Sequence, residues 1–139
     1  MSTAPTIDHI GIIVENLEEA MASMEKFLGV SSGSIEEMPN VGIRLAPFKA
    51  ANITIELIEY LSEEESFGRS TMSNQLGLNH ISKQVDDIDG AMEKLAADGF
   101  DILPGFPVDG ASGQVAFFGP DPASSVLLEI CQHRKRENE

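Results

Sequence analysis

The chain repeats itself, and that repetition narrows the folds open to it more than any other feature. Setting Asp8-His9-Ile10 against Asn79-His80-Ile81, an offset of 71 residues, brings Val14 onto Val85, Leu17 onto Ile88, Ala20 onto Ala91 and Met21 onto Met92. Further on, Ile53-Thr54-Ile55-Glu56-Leu57-Ile58 answers Val126-Leu127-Leu128-Glu129-Ile130. The histidine-to-glutamate spacing is 47 in the first half and 49 in the second, so the halves differ by a short loop insertion. A module this small covers one face of its sheet with its own helix and leaves the other face bare. Two copies paired around a cleft solve that burial problem.

Each half can be read element by element. Asn16 is a good N-cap with Glu19 three residues on, Leu17, Ala20, Met21, Met24, Phe27 and Leu28 share a helical stripe, and Gly29 ends it. In the second half Asp87 caps, Ile88, Ala91, Met92, Leu95 and Ala96 form the stripe, and Gly99 stops it. Runs at about 42–48, 52–60, 114–118 and 126–131 read as strands, with weaker candidates near 31–38 and 100–103. The Pro- and Gly-rich stretch 104–113 and the polar stretch 62–77 read as loops. The expectation is an α+β fold of two tandem βαβββ modules forming a metal-binding cleft. The modules cover about 6–61 and 78–132, joined by the linker 62–77, within a single domain spanning 1–139.

Strand alternation puts every second side chain on one face. If His9 points into the cleft, so do Gly11 and Ile13, while Ile10, Ile12 and Val14 face the helix. His80, Ser82 and Gln84 likewise share a face. Glu56 and Glu129 sit in runs of Ile, Leu and Val, where an unpaired carboxylate is expensive to bury. A divalent cation offsets that penalty, and two neutral imidazoles with two carboxylates balance its charge. Such an N/O donor set suits Zn, Ni, Co, Mn or Fe(II). A lone strand histidine is ordinarily packed or exposed and nothing more. The equivalent placement of His9, Glu56, His80 and Glu129 in a duplicated unit is what marks them as ligands.

Other polar residues carry weaker signals. Glu59 has the opposite strand parity to Glu56 and is expected to point outward. Arg44 is either a clamp for a substrate carboxylate or an exposed strand arginine. Ser82 and Gln84 are candidates for the pocket lining. His133 is expected to be solvent-exposed in a charged tail. Cys131 shares parity with Glu129, and its expected role is a small buried hydrophobe.

Composition removes several classes of function. A length of 139 residues with 42% hydrophobic content gives one domain with a real core. A net charge of −14 argues against nucleic-acid binding, and the basic cluster Arg134-Lys135-Arg136 is broken by Glu137 and Glu139. No apolar run approaches the roughly 20 residues of a membrane span. Met1-Ser2-Thr3-Ala4-Pro5 is not a secretory signal, and the single cysteine excludes an intrachain disulfide framework. A cytoplasmic location is the expectation.

Five segments together resemble the vicinal-oxygen-chelate superfamily, and within it the methylmalonyl-CoA epimerases: Ile7-Asp8-His9-Ile10-Gly11, Ile55-Glu56-Leu57-Ile58-Glu59, Gly77-Leu78-Asn79-His80-Ile81, Val85-Asp86-Asp87-Ile88-Asp89 and Val126-Leu127-Leu128-Glu129. The resemblance spans about residues 6–132. It implies that His9, Glu56, His80 and Glu129 are metal ligands, with a cation such as cobalt, a homodimer, and an acyl-CoA thioester or thiol conjugate as substrate. The implied chemistry is proton abstraction next to a carbonyl, with Glu129 the first candidate for the acid/base and Glu56 the second. The chain departs from those epimerases in four places. Asn79 stands where a second histidine is common, Ser82-Lys83-Gln84 follows His80, and Gly119-Pro120-Asp121-Pro122 lacks a basic residue. Leu45 stands where one type of epimerase has a second catalytic glutamate. Two further readings therefore stay open: a glyoxalase-I-like lactoylglutathione lyase, and a non-catalytic small-molecule binder.

Overall fold

The computed structural model describes residues 4–134. Met1, Ser2, Thr3 and the run from Lys135 to Glu139, with most of the expected basic tail, lie outside the described residues. The chain divides into two compact units, His9–His80 and Met1–Asp8 with Ile81–Glu139.

The first unit holds β1 (Ile7–Ile13, from His9), α1 (Leu17–Leu28), β2 (Glu36–Met38), β3 (Ile43–Lys49) and β4 (Thr54–Tyr60). Its strands run in the order β2-β3-β4-β1. β1 lies parallel to β4, and the other two pairings are antiparallel. α1 begins where Asn16 accepts the Glu19 amide at 3.0 Å, and ends at Gly29, whose φ of 75° is the left-handed cap that glycine adopts without strain. Leu17, Ala46, Phe48 and Leu57 form the core under α1, with Ile12, Val14, Ala20, Met21, Met24, Leu28 and Ile55 packed around them. The expected alternation is therefore present: Ile12 and Val14 face the helix, while His9, Gly11 and Ile13 are buried on the other side. Phe27 departs from the expected stripe and is 83% exposed. At 100° per residue it falls at the edge of that stripe, beyond Ala20.

The second unit repeats the plan with α3 (Ile88–Ala97), β6 (Val108–Asp109), β7 (Gly113–Phe118) and β8 (Leu127–His133), joined by the Ile81–Gln84 part of β5 (Gly77–Gln84). Its order is β6-β7-β8-β5, the same as in the first unit. Ile88, Ala116, Phe118 and Ile130 make its core, with Val85, Ala91, Met92 and Leu95 against them; Ala96, expected in that stripe, is exposed. The expected strand at 100–103 shrinks to a single bridge from Ile102 to Phe118. The edge strand forms instead at Val108–Asp109, inside the stretch expected to be loop.

The stretch 62–77 also differs from expectation. It contains a short helix, α2 (Phe67–Met72), N-capped by Ser66 and packed within the first unit. Gly68 lets it approach closely, since a Cβ there would meet the Val41 carbonyl at 2.7 Å. The Arg69 guanidinium lies 4.3 Å above the Tyr60 ring and donates to the Ser62 carbonyl at 2.7 and 3.0 Å. Sequence polarity alone hid this helix, because six residues, under two turns, leave no room for a visible apolar period.

Tyr60 gives this region a direct probe. Burial, opposed by Arg69 and reinforced by Glu65, pushes its hydroxyl from 10 up to about 12. It is the chain's single tyrosine, so ultraviolet titration reads it alone. Phenolate is expected near pH 12. Because the folded value is the higher one, the associated stability is complete below pH 10 and is lost as the pH rises toward 12. Phenolate formation at pH 10 in the folded protein would contradict the buried placement.

Candidate metal centre

One face of the first unit's strands gathers the chemistry. Register places Gly11 beside Glu56 and Glu56 beside Pro47, while Ile13, Ile58 and Leu45 form the next row of the same face. His9 Nε2 lies 3.5 Å from Glu56 Oε1. His80, from the first half of β5, meets the His9 ring edge-on, with centroids 5.5 Å apart and planes at 87°. One donor atom from each of His9, Glu56 and His80 falls within 4.8 Å of the others.

The two histidines are 6% and 2% exposed, so this is an interior cluster and not a chance surface grouping. Gly11 makes it sterically possible. A Cβ on Gly11 would stand 2.1 Å from His80 Cε1 and 2.4 Å from Nε2, inside the imidazole ring's own volume. A strand glycine commonly marks such a close approach, and this one is where His80 is seated.

These residues fit a divalent cation. Donors about 2.0–2.2 Å from a common ion stand roughly 3–4 Å from one another. The His9–Glu56 separation already falls in that range. Two imidazoles and a carboxylate form the mixed N/O set that borderline metals prefer.

The remaining candidates are placed as follows. Glu129 is 5% exposed on β8 in the second unit, two residues from Cys131 on the same strand face. Cys131 is itself 4% exposed. Burial pushes its thiol up to about 12, against a lowering hydrogen bond from Ser82 and with Asp8 and Glu129 adding to the rise. Its burial is that of the small interior hydrophobe expected. Ser82 is fully buried beside it, and Gln84 is half-buried, its backbone N–H donating to the Thr6 carbonyl. His133 remains exposed but belongs to β8, not to a loose tail; its Nε2 lies 2.7 Å from Asp8 Oδ1.

Arg44 stands on the helix side of β3, the opposite face from Glu56. Its guanidinium is held by Glu59 at 2.7 Å and Glu18 at 2.8 Å. Glu59 does not point outward. Its Oε2 accepts the Leu17 amide at 2.8 Å, closing the open N-terminus of α1. In the second unit Gln132 Oε1 accepts the Ile88 amide at 2.8 Å, so the duplication extends to the capping side chain. The 73-residue offset relating Glu56 to Glu129 also relates Glu59 to Gln132, a signal present in the sequence that points to a structural role. Arg44→Ala is expected to lower unfolding free energy by about 0.5–1 kcal/mol, the range of a solvent-screened pair, with the substrate KM unchanged. A raised KM with unchanged stability would restore the clamp role.

The family model for the glyoxalase/bleomycin resistance protein/dioxygenase superfamily matches residues 8–118. The chain belongs to that superfamily. An ethylmalonyl-CoA/methylmalonyl-CoA epimerase of Cereibacter sphaeroides is 31% identical over 129 residues, covering 91% of this chain and 96% of that protein. A hypothetical protein of Bacillus halodurans superposes with a TM-score of 0.84 at 29% identity, covering 99% of this chain and all of the other. A variant of Streptomyces coelicolor methylmalonyl-CoA epimerase in complex with 2-nitronate-propionyl-CoA superposes at 0.78 with 25% identity, covering 94% and 96% of the two chains. The α+β architecture and repeated module order are those of the vicinal-oxygen-chelate fold. Among the described residues, no helix is long and apolar enough to cross a membrane.

Proposed function

We propose that this superfamily member is a metal-dependent epimerase that removes the proton next to a thioester carbonyl in an acyl-CoA of the methylmalonyl type. The observation that carries the reading is the buried His9–Glu56–His80 donor set, in a chain 31% identical to a named epimerase along nearly its whole length. His9, Glu56 and His80 would hold the cation, drawn from Co, Ni, Zn, Mn or Fe, and the duplication nominates Glu129 as the fourth ligand. Bound there, the ion supplies Lewis-acid polarisation of a carbonyl oxygen.

The chain's own carboxylates then carry the proton. A Glu129 oxygen takes hydrogen from the α-carbon, and the C–H electron pair moves toward the carbonyl as an enolate forms. Glu56 is the second carboxyl group: in its protonated form it gives its proton to the other face of the carbon, completing inversion, and exchange with solvent returns Glu129 to the carboxylate and Glu56 to the acid. Leu45 lies on the Glu56 face, 4% exposed, and offers no acid or base. Burial of His9 and His80 keeps bulk water from the donor atoms. A homodimer and a reducing, cytoplasmic setting complete the reading; the single buried cysteine supports the latter.

Leu45 also favours keeping a glyoxalase-I-like lyase in view, because such an enzyme uses the same donor set and shuttle. A paired assay separates them. The expected result is entry of solvent deuterium at the α-carbon of methylmalonyl-CoA, with no turnover of a glutathione hemithioacetal. The reverse pattern identifies the lyase. A native protein inert toward both and free of metal would be a binding protein, and the catalytic reading would fall.

A further inference from the structure

Asn79 makes two hydrogen bonds, and together they decide a proton position. Its Nδ2 lies 2.8 Å from the Met72 carbonyl, and its Oδ1 lies 2.8 Å from His80 Nδ1. A carbonyl can only accept, so the amide NH2 must face Met72 and the amide oxygen must face His80. That oxygen can only accept as well. His80 Nδ1 therefore carries the hydrogen, and in a neutral imidazole the lone pair then sits on Nε2. The ring edge bearing Cε1 and Nε2 is the one nearest Gly11, on the strand face that holds His9 and Glu56.

We propose that Asn79 is a positioning residue: it locks His80 as the Nδ1–H tautomer, so that Nε2 is the metal-ligating nitrogen, and it ties that ring to the end of α2. The chain of contacts is continuous. Met72 closes α2, where the last carbonyls of a helix lack partners within it, and the Asn79 amide supplies one. α2 in turn is fixed by the Gly68 amide on the Val41 carbonyl at 2.8 Å and by Arg69 on Ser62 and Tyr60. The stretch that looked like a passive linker thus orients a ligand. Asn79 is 9% exposed, so water does not compete effectively for either bond. A histidine ligand whose other nitrogen donates to a fixed acceptor is held in both tautomer and ring angle, which raises its affinity for the ion.

The inference rests on the metal reading only in naming His80 a ligand, and its test is made first without metal. Metal-free protein carrying nitrogen-15 imidazole is read by long-range proton–nitrogen correlation, at a pH where the spectrum itself shows a neutral ring. His80 is expected to show hydrogen on Nδ1 and a bare Nε2. Asn79→Leu removes the acceptor. The expected result is a mixed tautomer and a Zn²⁺ affinity, read by chelator competition, lower by about 10–100-fold. Asn79→Asp keeps an acceptor while losing the Met72 bond. It is expected to keep the tautomer and to bind Zn²⁺ more tightly than Asn79→Leu, with a lower melting temperature because the tie to α2 is lost.

Hydrogen on Nε2 in the metal-free wild type overturns the proposal. So does Asn79→Leu with unchanged tautomer and affinity, or equal weakening by Leu and Asp, which would reduce Asn79 to packing. If Asn79→Leu does not fold, the wild-type spectrum and Asn79→Asp decide the matter. A wild-type protein with the expected tautomer but no Zn²⁺ binding would sink the metal reading and leave this assignment standing.

Discussion

Gly11→Ala is expected to lower cation affinity on the order of 100-fold, the upper end of what disturbing a ligand's surroundings does. The added methyl would fall 2.1 Å from His80 Cε1 and within 2.7 Å of both ring nitrogens. No flexible side-chain end is involved that could swing aside. The ring is 2% exposed and tethered through Nδ1 to Asn79, so its escape requires β1 and β5 to shift or the Asn79 bond to break. Overpacking of this kind costs about 1–3 kcal/mol in stability. The helix-side cores should be spared, because Gly11 is on the face away from α1. Zn²⁺ titration beside thermal melting checks both parts. Unchanged affinity would mean that the His80 ring does not occupy the space over Gly11.

Glu129→Gln is expected to reduce α-proton exchange in methylmalonyl-CoA by about 10²–10⁴-fold, the usual contribution of a general base. Glutamine keeps the shape and an oxygen donor but cannot take up a proton at neutral pH. The side chain is 5% exposed, between Leu128 and Ile130 on the Leu127–His133 strand. Metal bound through His9, Glu56 and His80 is expected to persist in the variant, though more weakly. Full exchange activity with intact metal content would remove Glu129 from the chemistry and leave Glu56 as the shuttle.

Much of this was legible because two periodicities coincide with a repeat. Asn16 and Asp87 as caps, Gly29 as the stop and the inward parity of His9 and Gly11 all follow from local rules that a duplicated sequence states twice. Three things were hidden for physical reasons. α2 is too short to show a period. Val108–Asp109 is an edge strand that owes its existence to β7 and not to its own composition. Glu59 reads as an outward residue and Arg44 as a substrate clamp or an exposed arginine, because a carboxylate closing a helix it does not belong to leaves no local pattern. Asn79 was visible only as an oddity next to His80; its meaning needed the Met72 carbonyl, seven residues upstream and on a different element.

Metal analysis of native protein, followed by X-ray absorption at the edge of whatever element is found, bears most directly on the central reading. About one divalent ion per chain is predicted, ligated only by nitrogen and oxygen with two imidazoles in the scattering pattern. The ion should disappear from a His9→Ala, His80→Ala double variant that still folds. Native protein that takes up no divalent ion even when supplied with Co²⁺, Ni²⁺ or Zn²⁺, or a bound ion ligated by sulfur, would contradict it.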